Sequence, residues 1–433
     1  MIRWTTFKTL ILYLTAFLLP LSFLFGRSVP DALISAIAII FLIHTLWTKN
    51  FKIFRHPLLI PCYLFWLYFI GVSFTAIEPW ISFKKILPWI RYPFFALALT
   101  PLLRYKQSQY LFKWAVIILF LMLIFFLLYE LISGSSLVNP ISQYHYSGRI
   151  YGPYNNPHSG IIIQALTFPA IIYLLLRLPR LIFHPIPTTI FWITIYLGAI
   201  LVTGNRMPFF ISLIQVSLFF MLGRYPQKRH LVWYWVSILT GAVILFLFQT
   251  LMGWEIFPRS SATLQRVIGH TSALFSSFST SYFASYLTAF AQGLSFFFLS
   301  PVTGTGIGQL PYYSLISLPG RFESISFLHP HNFYIEILGA GGFIGMAIFI
   351  FLLWRILTPG FKHFSIIRNE SMVLAVFITV LLYFFPLFAT PSFFTSWASG
   401  PLWLMIGWLF YYYHQFHLSP VLPLHTEKVS PKT

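Results

Sequence analysis

The sequence predicts an all-α, polytopic membrane protein of about twelve transmembrane helices, with one long outer loop that contains short interfacial helices. Three observations carry this prediction. Of 433 residues, 58% are hydrophobic and 8% charged, which leaves too few solvating groups to cover a water-soluble globule of this size. Apolar runs recur along the chain at close to the roughly 20 residues needed to cross a bilayer. The 27 Lys and Arg, set against 8 Asp and Glu, sort into alternate connections between those runs.

The runs lie at 7–25, 32–47, 58–77, 81–103, 111–132, 159–176, 188–203, 208–222, 231–252, 333–354, 372–390 and 401–413. The first has the basic flank of a signal peptide but no small-residue cleavage site behind it, and reads as the first span. With both termini in the cytoplasm, 18 cations fall inside and 9 outside, and every cytoplasmic connection is basic. The inside set runs from Arg3 to Lys432; the outside set is Arg27, Lys84, Lys85, Arg91, Arg149, Arg206, Arg259, Arg266 and Arg321. Residues 1–433 therefore read as a single integral membrane domain, with a Pro-rich, polar cytoplasmic tail at 417–433 expected to be disordered. No soluble basic face suggests nucleic acid, and the single cysteine, Cys62, sits in an apolar run, which excludes an intramolecular disulfide or a thiolate metal cluster.

Two outer connections exceed turn length, 133–158 and the much longer 253–331. Within the second, 283–299 is apolar but interrupted by Ser, Gln and Gly. A thirteenth span there would put Arg321 and the histidines on the opposite side from Arg206, so a helix lying at the interface or re-entering the bilayer fits better.

Cations outside have no topological reason to be there. Arg206 follows Thr203-Gly204-Asn205 in a tight turn between two runs; Lys84, Lys85 and Arg91 occupy the outer half of the fourth run, and Arg149 the first long loop. Lys84 and Lys85 can equally serve by snorkelling to headgroups. Arginine forks at an outer leaflet fit phosphate oxygens, so a diphosphate is the ligand class these cations suit, without a metal. The outer acids Asp31, Glu78, Glu255, Glu323 and Glu336 are scattered, and His329 with His331 is an incomplete ligand set.

His329 and His331 precede the tenth run, followed by Asn332 and Glu336. An imidazole suits proton abstraction from a sugar hydroxyl near neutral pH. The same residues also read as a helix start, with Asn332 as a favourable cap. Gly304, Gly306 and Gly308 read as loop conformation rather than a dinucleotide fingerprint, because no strand precedes them. Gly339, Gly341, Gly342 and Gly345 read as small-residue packing positions, and Tyr151 to Pro157 as a turn that starts the sixth run.

Four motifs in order resemble the O-antigen ligase and O-antigen polymerase superfamily of bacterial envelope glycosyltransferases. Gly152-Pro-Tyr-Asn-Asn-Pro157 is similar to its G-x-x-x-N-P turn, Thr203-Gly-Asn-Arg206 to its [ST]-G-x-R turn, and Pro301-Val-Thr-Gly-Thr-Gly306 to its P-x-x-G-x-G. His329-Pro-His-Asn332 with Tyr334, Glu336 and Gly345 is similar to its H-x-H-N-x-Y-x-E...G signature. The resemblance implies transfer of a glycan from undecaprenyl diphosphate at the periplasmic face of the bacterial inner membrane by a metal-independent, inverting, cofactor-free enzyme. It implies His331 as the base with His329 in reserve, Arg206 on the diphosphate, and Asn332 and Glu336 in support. The chain departs from the pattern where 282–300 lacks an Arg, so Arg266 or Arg259 is expected to supply that charge, helped by Arg91 or Arg149. Ala340 stands where a second acid is common.

The acceptor separates a ligase, which uses lipid A-core, from a polymerase, which uses a second carrier-linked glycan, and from a protein O-oligosaccharyltransferase. The modest length and lack of a soluble C-terminal domain favour the first two. A non-enzymatic flippase of the same lipid-linked glycans is the rival from another class, expected to show two related halves, whereas this chain gathers its motifs into one asymmetric outer loop.

Overall fold

The computed structural model describes residues 4–133, 135–138, 150–154, 159–177, 185–203, 205–223, 281–312, 329–387 and 390–418. The ninth run, most of residues 253–331, Arg149, Arg259, Arg266, Arg321 and the tail from residue 419 lie outside them. Among the described residues every regular element is helical, and four helices are long and apolar enough to cross a membrane.

The helices in order are α1 (Trp4–Leu21), α2 (Ser28–Trp47), α3 (Leu59–Ser73), α4 (Pro79–Ile86), α5 (Arg91–Leu102) and α6 (Lys106–Ser133). There follow α7 (Ser159–Ile162), α8 (Phe168–Arg177), α9 (Pro185–Val202), α10 (Arg206–Leu222), α11 (Ser281–Leu299) and α12 (Phe333–Lys362). The chain then forms α13 (Phe364–Ile367), α14 (Ser371–Tyr383) and α15 (Ser396–Gln415). The four long apolar segments are α2, α6, residues 159–176 and α12. A π-turn at Ile163–Thr167 joins α7 to α8 just before Pro169, whose missing N–H disturbs the regular ladder. α6 runs 28 residues without Gly or Pro, which is why it stays unbroken.

Three runs depart from the sequence expectation. The fourth is divided into α4, a 3₁₀ turn at Leu87–Ile90 and the 12-residue α5, because Pro88 and Pro93 interrupt the ladder. The eleventh ends as helix at Tyr383, ahead of Pro386, leaving a non-helical connection before α15. The tenth carries a break at Gly342, whose φ of 60° and ψ of −161° are outside the helical region.

The loop after α11 fills that break. The N–H groups of Phe343 and Ile344 donate to the carbonyls of Pro301 and Val302 at 2.8 and 3.2 Å. The carbonyls of Gly339 and Ala340 accept from Thr305 and Gly306 at 3.2 and 2.9 Å. Backbone groups freed inside an apolar helix need such partners, since a bare one costs several kcal/mol in hydrocarbon. A Cβ on Gly342 would stand 2.4 Å from the Val302 carbonyl oxygen, so this glycine is a break position rather than a packing site. Gly341 and Gly345 do pack as expected, against Phe69 and Tyr68.

α11 runs parallel to the first turns of α12, with Gly293 against Ile335 and Phe297 against Phe343. The following loop pairs first with residues 343–344 and then with 339–340, so the chain turns back along α12. Its geometry is that of a hairpin laid against the helix.

The ends of α12, α14 and α15 fix a common face. Tyr334 Oη at the start of α12 donates to the Phe384 carbonyl just past α14. Tyr383 Oη at the end of α14 donates to the Ala398 carbonyl at the start of α15. Large aromatic side chains form the core under this face, among them Trp89, Trp403 and Phe393.

Candidate functional site

The histidine turn is built from bonds that radiate from the start of α12. Asn332 caps the helix: its Oδ1 accepts from the N–H groups of Tyr334 and Ile335 at 2.9 and 3.2 Å, an interaction worth about 1 kcal/mol. Its Nδ2 donates to the Pro386 carbonyl at 2.7 Å. Glu336, one turn on and buried, accepts from Ser392 Oγ at 2.5 Å and from the Phe393 N–H at 2.8 Å. The His331 carbonyl accepts from the Thr390 N–H at 2.8 Å. Phe384, Pro386, Thr390, Ser392 and Phe393 are thus laced to the stretch from His331 to Glu336.

Within the turn His331 has φ of 52°, a left-handed conformation that non-glycine residues seldom adopt. His329 braces it. Its Nδ1 accepts from the His331 N–H at 3.0 Å, which leaves the His329 ring proton on Nε2, and the two rings stand 4.1 Å apart. Burial pushes His331 below its ordinary value. Burial, with His331 and then Lys85 nearby, pushes His329 down to about 3. Both imidazoles are therefore neutral at physiological pH, the form in which a ring nitrogen can accept a proton.

Beside the turn lies a cavity of about 30 Å³, enough for about one water. His329, Pro330, Glu336 and Gly339 line one side, and Thr305, Gly306, Gly308 and Gln309 the other. The loop residues Gly304, Gly306 and Gly308 have φ of 76°, 95° and 73°, the conformational role their spacing suggested. The loop is also stitched to α4 and to the residue just before it. Ile307 N–H donates to Ser82 Oγ at 3.1 Å, and the Gln309 amide pairs with the backbone of Glu78 at 2.9 and 3.0 Å.

The two other motifs meet at the same end of the bundle. Tyr154 rests its ring 5.2 Å from that of Trp397 in the first turn of α15, and its hydroxyl donates to the Phe23 carbonyl at 2.7 Å. Gly152 has φ of 63°, and its N–H donates to the Glu130 carboxylate at 2.8 Å, as does that of Tyr151 at 3.1 Å. Gly160, at the start of α7, lies against the Thr203 turn: a Cβ there would stand 2.6 Å from Thr203 Oγ1 and 2.8 Å from Asn205 Cβ. Thr203 Oγ1 accepts from Asn205 Nδ2 at 3.0 Å, and Arg206 opens α10 directly after that turn. A chain of contacts thus joins Glu336, the 392–397 segment, the Tyr151–Tyr154 turn and the Thr203–Arg206 turn.

Arg91 is engaged elsewhere. Its guanidinium pairs with Asp31 at 2.6 Å and covers the Tyr92 ring at 4.7 Å, tying α5 to α2. Arg149, Arg259 and Arg266 are not among the described residues. Among the described residues no three His, Cys, Asp or Glu side chains are grouped to hold a metal ion. Sequence reasoning passed over Glu130, although an acid inside an apolar run is the signal for such a residue. It also took 384–390 as membrane span, where the prolines at 386 and 391 marked a loop.

Residues 189–350 match the family model described as O-Antigen ligase. The match covers three of the four motifs, from the Thr203 turn through Glu336 and Gly345, and ends within α12. No curated protein matches the chain.

Proposed function

We propose that this chain, a member of the O-antigen ligase superfamily, transfers a glycan from undecaprenyl diphosphate to an acceptor hydroxyl of lipid A-core at the periplasmic face of the inner membrane. The single observation that carries the reading is a neutral, half-buried His331 in a strained, fully braced turn, at the same end of the bundle as the Thr203–Arg206 turn.

His331 takes the proton of the acceptor hydroxyl. The freed oxygen attacks the anomeric carbon from the face opposite the diphosphate, the carbon–oxygen bond to the carrier breaks, and its electron pair leaves with undecaprenyl diphosphate. The configuration inverts. Arg206, with Arg266 or Arg259, neutralises the charge that gathers on the leaving group. His329 serves as the brace: its Nδ1 is occupied and its basicity is suppressed. Asn332 and Glu336 hold the turn in register.

The test is transfer by purified protein given carrier-linked glycan and lipid A-core. The expected result is release of free undecaprenyl diphosphate by the wild type, and loss of about 10²- to 10⁴-fold in rate for His331→Ala at unchanged protein abundance. Normal transfer by His331→Ala excludes the role. Movement of the glycan across vesicles without bond cleavage identifies a flippase. A deletion strain that accumulates single glycan units, rather than polymer on the carrier, identifies a polymerase.

A further inference from the structure

The fourth run carries three cations within eight positions, Lys84, Lys85 and Arg91, and their side chains meet three different fates. Lys84 Nζ lies 5.3 Å from the centre of the Trp80 ring, and Arg91 is bound to Asp31. Lys85, in the last turn of α4, turns inward across Gly308. A Cβ on Gly308 would stand 2.5 Å from Nζ, 3.0 Å from Cε and 3.2 Å from Cδ, so the absent side chain is what makes room for the lysine. Gly308 lines the cavity beside His329 and Glu336. Lys85 is near enough to act electrostatically on both.

Among the described residues Lys85 donates no hydrogen bond and has no carboxylate at ion-pair distance. Both oxygens of Glu336 are occupied by Ser392 and Phe393. Among the described residues no anion balances this half-buried lysine, and an incoming anion can take that place. A lysine that merely snorkelled would extend away from the protein towards headgroups. This one lies against a loop whose three glycines, at 304, 306 and 308, all have positive φ.

We propose that Lys85 binds a phosphate oxygen of the substrate at the rim of the His329–Gly308 cavity. It thereby supplies part of the anion-binding set that the missing arginine in 282–300 leaves incomplete. The assignment rests on the transferase reading above, because it takes the substrate to be a polyprenyl diphosphate.

The test measures binding of farnesyl diphosphate to the full-length protein in detergent micelles, with phosphatidylglycerol as competitor. The expected result is measurable binding by the wild type and a loss of roughly tenfold or more in affinity for Lys85→Met and Lys85→Gln, the strength of a charge-assisted hydrogen bond. Lys85→Arg should recover most of that loss, and Lys84→Met should match the wild type. Each variant is paired with a thermal melt, and Lys85→Gln stands in if the methionine variant does not fold. Equal affinity in wild type and both neutral variants overturns the Lys85 assignment alone. Competition by phosphatidylglycerol as effective as by the diphosphate overturns it in favour of a headgroup site. Absence of binding by the wild type overturns the assignment together with the transferase reading.

Discussion

Two turns at one end of this bundle each lean on a buried glutamate, and they differ in what the glutamate touches besides the turn. Glu130, near the end of α6, accepts the N–H groups of Tyr151 and Gly152 and so fixes the Tyr151–Tyr154 turn. Glu336, in the first turn of α12, accepts Ser392 and Phe393 in the same manner, but it also lines the cavity shared with His329 and lies within electrostatic reach of Lys85. The lesson is that a buried acid in an apolar run signals a constrained backbone, while its role in chemistry depends on which other groups converge on it. One acid is scaffold at a distance; the other is scaffold and wall at once.

The contrast is sharpest if the two acids are neutralised in parallel. Glu336→Gln should lower the transfer rate roughly tenfold to a hundredfold, because the imidazole turn loses its register. It should also reduce stability by about 1–3 kcal/mol. Glu130→Gln should cost about the same in stability with transfer per folded molecule retained. A melt and a transfer assay on both variants decide this, and an inactive but fully folded Glu130→Gln breaks the distinction.

Backbone conformation gives a smaller but cleaner test. Gly152→Ala places a Cβ 2.9 Å from Ser159 Oγ at a φ of 63°. A loss of about 2 kcal/mol in the thermal melt is expected. No loss means that the turn relaxes and Glu130 does not constrain it.

The pH profile probes the histidine turn alone. Burial lowers the His331 value, so the neutral base persists below pH 6.5 and the acid limb of kcat/KM should lie below that point. The sign for stability agrees. With His329 near 3 when folded and about 6.5 when unfolded, the unfolded chain binds more protons as pH falls, and stability drops between those values. An acid limb centred above pH 7 contradicts the buried, neutral imidazole.

The smallest effect belongs to Arg91→Lys, which loses the planar fork on Asp31 but keeps the charge. A change within about 1 kcal/mol and unchanged transfer are expected. A large loss of transfer in a stable variant returns Arg91 to the diphosphate site.

Much of this was legible in the chain before any coordinate. The helical class follows from hydrophobic runs of bilayer length, and helix α12 and its Asn332 cap follow from a favourable capping residue ahead of an apolar run. The order of the four motifs brought His331 and Arg206 into view without any distance. Turn chemistry at Gly304, Gly306 and Gly308 was also readable, since positive φ favours glycine.

What composition and spacing by themselves determined was the solvent this protein folds in and the residues able to do chemistry, because both depend on side-chain types along one dimension. Only the tertiary structure decided which of those residues act together. Lys84, Lys85 and Arg91 look alike in sequence, yet a tryptophan, a glycine and an aspartate from different positions draw them apart. Gly342 looks like its neighbours, yet it alone breaks the helix, because a loop some forty residues earlier in the chain supplies the hydrogen bonds that the break leaves open. Such outcomes rest on satisfying buried polar groups across the fold, a condition that local pattern does not contain.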